Sequence, residues 1–209
     1  MIGETWGLLL AAGRGRRMGG GKQLLPWPPE NPSTTLVATS FDALNYLVSR
    51  MAVALGHRRV EVVAALADRE FERLEVDPDA EMIESIKAGL RWLLSRDAAK
   101  LAVVHPADQP IVNQRTFSEL MAYQHRFPTV AVMPEFGERG GHPVLIPRLL
   151  WPRIMACESA GGLRQFWADH PSMHVRVPVN DPMVIADFDC LDDLARGVHT
   201  DLEKPGDSA

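Results

Sequence analysis

The chain has 209 residues, 46% hydrophobic and 23% charged, enough apolar material for one sizeable core and the balance expected of a single globular domain. Its formal charge of −5 excludes a general nucleic-acid or membrane-surface binder, whose footprint would be basic. Its two cysteines, Cys157 and Cys190, supply neither a disulfide framework nor a Cys-based metal spacing, which suits a reducing cytoplasm.

In chain order, Gly7 to Ala12 (GLLLAA) reads as an apolar strand, too short for a signal or membrane segment before Arg14 interrupts it. It runs into a glycine-rich loop that carries Arg14, Arg16, Arg17 and Lys22. Glycines let backbone N–H groups turn onto a ligand, and inward N–H groups with fixed cations suit a polyphosphate. Two familiar glycine loops do not fit. The dinucleotide fingerprint would place Met18 where helix and strand need a small residue. The ATPase P-loop would need Gly at Arg16 and Ser or Thr at Gln23.

Trp27 to Ser33 is turn chemistry, after which Leu36, Val37, Phe41, Leu44, Leu47, Val48 and Met51 recur at helical spacing. Arg59 to Leu66 (RVEVVAAL), rich in β-branched residues, is expected to be a strand, and Asp68 to Leu74 a short helix. Met82, Ile83, Ile86, Leu90, Leu93 and Leu94 mark an amphipathic helix, and Lys100 to His105 another strand. A helix near Gln114 to Arg126, strands Thr129 to Met133 and Pro143 to Pro147, a helix around Leu163 to Ala168 and a strand from His174 to Val179 follow. Alternating strands and helices require crossovers, hence an α/β fold with a mostly parallel sheet, helices on both faces and sites at the carboxyl ends of strands. The glycine loop lies at one such end and Asp108 at another. An Asp there commonly caps a turn; beside a triphosphate it is also the hard oxygen ligand that Mg2+ takes with phosphates and water. The polar end, His199 to Ala209, is expected to fray, leaving 1–198 as the domain.

The run from Leu10 to Pro26, L-A-A-G-x-x-x-R-M-G-x-x-K-x-L-L-P, resembles the opening signature of the molybdenum cofactor nucleotidyltransferases (MobA/MocA-like NTP transferases), with Gly15 where that family often has Ser. The resemblance implies a single-domain, Rossmann-like α/β fold of the nucleotide-diphospho-sugar transferase (GT-A-like) kind, with a mostly parallel but mixed sheet. It implies that Leu10, Ala11, Ala12, Gly13, Gly15, Arg17 and Lys22 hold an NTP, with Arg17 and Lys22 on the triphosphate. Asp108-Gln109-Pro110 is similar to the family's D-Q-P, whose Asp binds Mg2+; Arg17, Lys22 and Asp108 would then be the catalytic set. Gly137 to Ile146 resembles G-x-x-G-H/N-P-V-L, which implies acceptor contacts at Gly141, His142 and Pro143; as a metal ligand His142 would stand alone. Ile185 to Leu194 resembles D-I-D-T-P-E-D-L and nominates Asp189 as second metal carboxylate, with Asp187 the close alternative on the same strand face. Asp192 and Asp193 suit an acidic helix start.

Two stretches depart from the pattern. Glu81 replaces the Gly expected ahead of Met82 and Ser85, the latter implied as a nucleotide contact, and in a G-D-x-G-A-R stretch Ser159-Ala160 replaces the Gly-Asp, losing the acidic residue before Gly162 and Arg164. The implied reaction is Mg2+-dependent transfer of a nucleoside monophosphate from an NTP to a phosphorylated acceptor such as molybdopterin cofactor, with release of pyrophosphate. The implied setting is cytoplasmic, with no nucleic-acid or membrane partner and transient contact with a molybdoenzyme or cofactor-insertion protein. Leu10-Ala11-Ala12-Gly13 resembles the L-A-A-G of the cytidylyl branch rather than the guanylyl L-A-G-G, which favours CTP. Related folds serve sugar phosphates, isoprenoid-precursor phosphates or phospholactate, and a non-catalytic nucleotide- or cofactor-binding protein is the alternative outside enzymes.

Overall fold

The computed structural model describes residues 4–14, 21–28, 31, 33–110, 113–158 and 160–186. Strand β1 (Glu4–Ala11) is the spine of the molecule because both its faces are apolar. Side chains alternate across a strand, so Trp6 and Leu8 enter one core while Leu9 and Ala11 enter the other. β4 (Ala99–Pro106) repeats the pattern, with Ala102 and Val104 on the first side and Leu101 and Val103 on the second. A strand buried on both faces is what parallel sheets require, since crossover helices must cover each side.

The helices supply those covers. α1 (Leu36–Asn45), α2 (Arg59–Ala65) and α4 (Gln114–Arg126) pack Val37, Phe41, Leu44, Val62, Phe117 and Leu120 on the Leu9 side. α3 (Met82–Leu94), α5 (Trp151–Ala156) and α6 (Gly162–Asp169) pack Ile83, Ile86, Leu90, Trp151, Ile154, Phe166 and Trp167 on the Leu8 side. Leu8 and Leu90 are fully buried, and truncating either to Ala should cost about 2–5 kcal/mol. Thr35 caps α1 by accepting from Ala38 N, and Asn113 caps α4 by accepting from Arg115 N and Thr116 N.

The remaining strands are β2 (Arg50–Leu55), β3 (Glu72–Glu75), β5 (Ala131–Phe136), β6 (Arg139–Gly140), β7 (Val144–Pro147) and β8 (His174–Pro178). Among the described residues the sheet has eight strands and runs β3-β2-β1-β4-β7-β5-β6, with β8 paired to β5. β2 and β4 flank β1 in parallel, and β3 joins β2 in parallel, with Leu9 opposite Val53 on one side and His105 on the other. β7 turns antiparallel to β4 and β5, whereas β8 is parallel to β5. The chain leaves β1 for β2 on one side and later returns to β4 on the other. The crevice at the carboxyl ends of β1 and β4 is therefore the topological switch point, where open α/β sheets place their ligands.

Three sequence expectations are corrected. The helical pattern from Leu36 ends at Asn45, and Met51 belongs to β2, whose Met51 to Leu55 are all buried. Arg59 to Leu66 is a helix rather than a strand: Val62 and Leu66, four residues apart, are fully buried, while Val60 is 73% exposed. Asp68 to Leu74 is not a helix but leads into β3, an edge strand on which Leu74 is the buried residue among Glu72, Arg73 and Glu75. Charge on an edge strand discourages further pairing and also hides the strand pattern. α5 had no counterpart among the sequence expectations.

Candidate functional site

The switch point is built from two strand ends and a turn. Leu10 lies opposite Pro106, and the Ala107 amide donates to Leu10 O at 3.0 Å, so the chain segments after β1 and β4 leave the sheet side by side. Gly21, at φ +74, opens a single 3-10 turn over Lys22–Leu24. That left-handed geometry suits glycine, and a Cβ here would also run into the Arg58 guanidinium. The turn buries Lys22 and Gln23 beneath the strand ends, and Gln23 Nε2 donates to Ala11 O at 3.5 Å. Lys22 Nζ lies 3.0 Å from Asp108 Oδ2; the lysine is 6% exposed, while the Asp108 side chain is about a third exposed.

Around this pair lies a cavity of about 150 Å³ lined by Leu10, Ala11, Ala12, Gly13, Lys22, Gln23, Asp77, Pro78, Ala80, Met82, Ser85 and Pro106 to Asp108. Every described residue expected at the nucleotide lines it. Gly15 and Arg17 lie outside the described residues. Arg14 pairs with Asp79 beside the 77–80 wall. Ala12 is 6% exposed, and a Cβ on Gly56 would come within 2.9 Å of the Ala12 methyl, so that methyl faces the neighbouring loop.

A second cavity of about 640 Å³ adjoins the first, with Met82, the first residue of α3, lining both. Of the residues nominated for acceptor contact, Gly141 and His142 line it, together with Glu81, Met133, Arg139, Arg164, Trp167 and Arg176, and Pro143 is not among its lining. Gly141 is fixed by its surroundings: its amide donates to Pro134 O at 2.9 Å, the His142 amide donates to Val184 O at 2.8 Å, and a Cβ on Gly141 would overlap the Val184 carbonyl. Burial pushes the His142 imidazole down to about 4, against the opposing pull of the Asp108 charge. His142 is thus neutral at pH 7 and offers a hydrogen bond rather than a charge.

The arrangement combines a cation and a carboxylate at a strand-end crevice with a roomier neighbouring cavity bearing guanidinium groups. It can grip a polyphosphate in one chamber and an anionic second substrate in the next. Residues 7–175 match the MobA-like NTP transferase domain. The chain belongs to that family. It is accordingly a nucleotidyltransferase. Among relatives, the chain is 28% identical over 181 residues to a molybdenum cofactor guanylyltransferase of Mesorhizobium japonicum, covering 81% of this chain and 75% of that protein. Solved structures that share the fold include the following two. Rv0371c of Mycobacterium tuberculosis has a TM-score of 0.79 at 23% identity, covering 94% of this chain and 97% of that one. Molybdopterin-guanine dinucleotide biosynthesis protein A of Archaeoglobus fulgidus has a TM-score of 0.67 at 17% identity, covering 91% and 95%. Rv0371c is also known as a manganese complex.

For this MobA-like chain the donor chemistry fits a hard divalent ion. Asp108 offers carboxylate oxygen at the cavity, and Mg2+ typically uses one or two carboxylates plus phosphate oxygens and water. Among the described residues no group of three or more His, Cys, Asp and Glu gathers. Asp187 and Asp189 lie outside the described residues. Sequence reasoning missed Gln23, Asp77, Met82, Arg139, Trp167 and Arg176 as cavity residues, because their place depends on tertiary approach rather than on a local pattern. Among the described residues no helix is long and apolar enough to cross a membrane.

Proposed function

We infer that this nucleotidyltransferase moves a nucleoside monophosphate from an Mg2+-bound NTP to the phosphate of a molybdopterin-type acceptor. The observation that carries the reading is the Lys22–Asp108 pair, 3.0 Å apart in the cavity at the switch point, beside a second cavity that shares Met82. The strand end from Leu10 to Gly13 and Ser85 would orient the nucleoside, and Lys22, with Arg17, would hold phosphate oxygens. Asp108, with Asp189 or Asp187, would hold the metal, which when bound neutralises triphosphate charge. Gly141 and His142 would place the acceptor so that its phosphate oxygen meets the α-phosphorus. A new P–O bond then forms as the α–β bridge breaks and pyrophosphate leaves. Positioning and charge neutralisation account for such a step, with no side-chain nucleophile.

The base has two supported readings. The L-A-A-G form at Leu10 to Gly13 favours CTP, although the Ala12 methyl faces Gly56, so a contribution from its bulk is small. The guanylyltransferase activity named for the Mesorhizobium relative favours GTP. Incubating the protein with each NTP, Mg2+ and phosphorylated acceptors, and following pyrophosphate, tests the proposal. CTP- or GTP-dependent release that requires a molybdopterin-type phosphate is expected, and release driven only by sugar or isoprenoid-precursor phosphates would redirect it. Asp108→Asn should abolish most turnover and also lower the melting temperature, because it removes the carboxylate charge 3.0 Å from buried Lys22, with turnover falling far more than stability; Mg2+-dependent release near the wild-type rate would remove Asp108 from the mechanism.

A further inference from the structure

The carboxylate at the centre of the site sits on a turn that is held from behind. Ser40, fully buried on α1, places its hydroxyl 3.1 Å from Ala107 O and 3.0 Å from Gln109 O, the carbonyls one residue before and one after Asp108. His105, 1% exposed at the end of β4, places Nε2 2.6 Å from the same Gln109 O. A carbonyl only accepts, so Nε2 carries the proton and Nδ1 is bare. That Nδ1 has no hydrogen-bond partner among the described residues. A buried polar atom left unsatisfied calls for an explanation, and the contact with Gln109 O is the compensation in view. The Gln109 amide N–H closes the turn onto Pro106 O at 3.3 Å, and its side-chain Nε2 donates to Ala186 O at 2.8 Å.

Neither Ser40 nor His105 lines either cavity. Their bonds instead orient the peptide groups around Asp108 and so fix the direction in which its carboxylate leaves the backbone. The geometry points to Ser40 and His105 as positioning residues that hold Asp108 in its metal-binding pose, an inference that rests on the reading of Asp108 as the metal ligand. Outer groups of this kind tune a ligand without touching the ion, and their loss typically weakens metal affinity about 10- to 100-fold.

The probe is Mn2+, titrated into the full chain without nucleotide, which would itself chelate the ion, and followed by the electron paramagnetic resonance signal of free Mn2+. Pyrophosphate release is measured in parallel as a function of Mg2+. Ser40→Ala and His105→Leu should each weaken Mn2+ affinity by about 10-fold or more. The Mg2+ concentration for half-maximal turnover should rise in step, and excess Mg2+ should restore most of kcat. His105→Gln, whose side-chain amide can still donate to Gln109 O, should keep near wild-type Mn2+ affinity, a rescue that a purely space-filling role would not give. Unchanged Mn2+ affinity in Ser40→Ala and His105→Leu, or turnover losses that added Mg2+ does not recover, overturns the inference. If His105→Leu fails to fold, Ser40→Ala and His105→Gln decide alone: the first must weaken Mn2+ binding and the second must not. Asp108→Asn separates the two levels. Wild-type Mn2+ affinity there sinks the metal reading itself, whereas loss there with no change at Ser40 and His105 sinks only their positioning role.

Discussion

At the scale of single residues, Lys22 and Asp108 were legible in the sequence because each belongs to a motif whose chemistry is local: a cation after glycines, and an acid after an apolar strand. Their mutual contact was not legible, since it depends on Gly21 turning the chain and on β1 and β4 ending side by side. Lys22 is 6% exposed, and burying an ammonium is costly unless an opposite charge lies close, as the Asp108 carboxylate does at 3.0 Å. Lys22→Ala should therefore weaken NTP binding in calorimetric titration by about 10- to 100-fold, the range of a charge-assisted phosphate contact. Unchanged affinity would take the lysine out of the phosphate site. Ser40 and His105 left no signal in the sequence, because a side chain that acts on backbone carbonyls has no spacing rule to betray it.

At the scale of elements, α3 and α4 were read close to their observed bounds; in α3 an apolar stripe through Ile83, Ile86, Leu90 and Leu93 leaves little ambiguity. The failures cluster between residues 50 and 75, where each element is short. β2 is alanine-rich and buried on both faces, α2 is rich in β-branched residues, and β3 is charged. In each case tertiary packing overrides the weak local preference. The loop before β7 differs again: Gly141 was expected to serve contact with a substrate, whereas its glycine is required by a tertiary approach, since a Cβ there would overlap the Val184 carbonyl. Gly141→Ala must push that backbone apart, moving His142 with it. The expected result is a raised acceptor KM and lowered kcat, with NTP affinity changed less than about threefold, within the usual spread for a site not directly touched. An equal loss of NTP affinity would mean that the two cavities do not act as separate chambers.

At the scale of the whole molecule, the parallel half of the sheet (β3-β2-β1-β4) and the mixed half (β7, β5, β6 and β8) meet beside the site. Two imidazoles lie at that junction: His105 on β4 and His142 just before β7, with ring centroids 6.5 Å apart. Burial pushes each down to about 4; for His105 the neighbouring His142 adds to the depression, while the Gln109 carbonyl and Asp108 oppose it. Released into the unfolded chain, each returns to an ordinary value near 6.5. Between these limits the unfolded chain binds more protons than the folded one, so stability rises with pH over this window. The contribution is complete above about pH 6.5 and is lost as pH falls towards 4. His174 is also lowered by burial and acts in the same direction. Thermal melts from pH 7.5 down to 4.5 should show the midpoint dropping by on the order of 5 °C or more. His105→Gln, which keeps the donor to Gln109 O but cannot titrate, should flatten that slope, and a double variant with His142→Asn should flatten it further. If both variants follow the wild-type slope, acid sensitivity arises elsewhere, and the sheet junction does not need its histidines neutral.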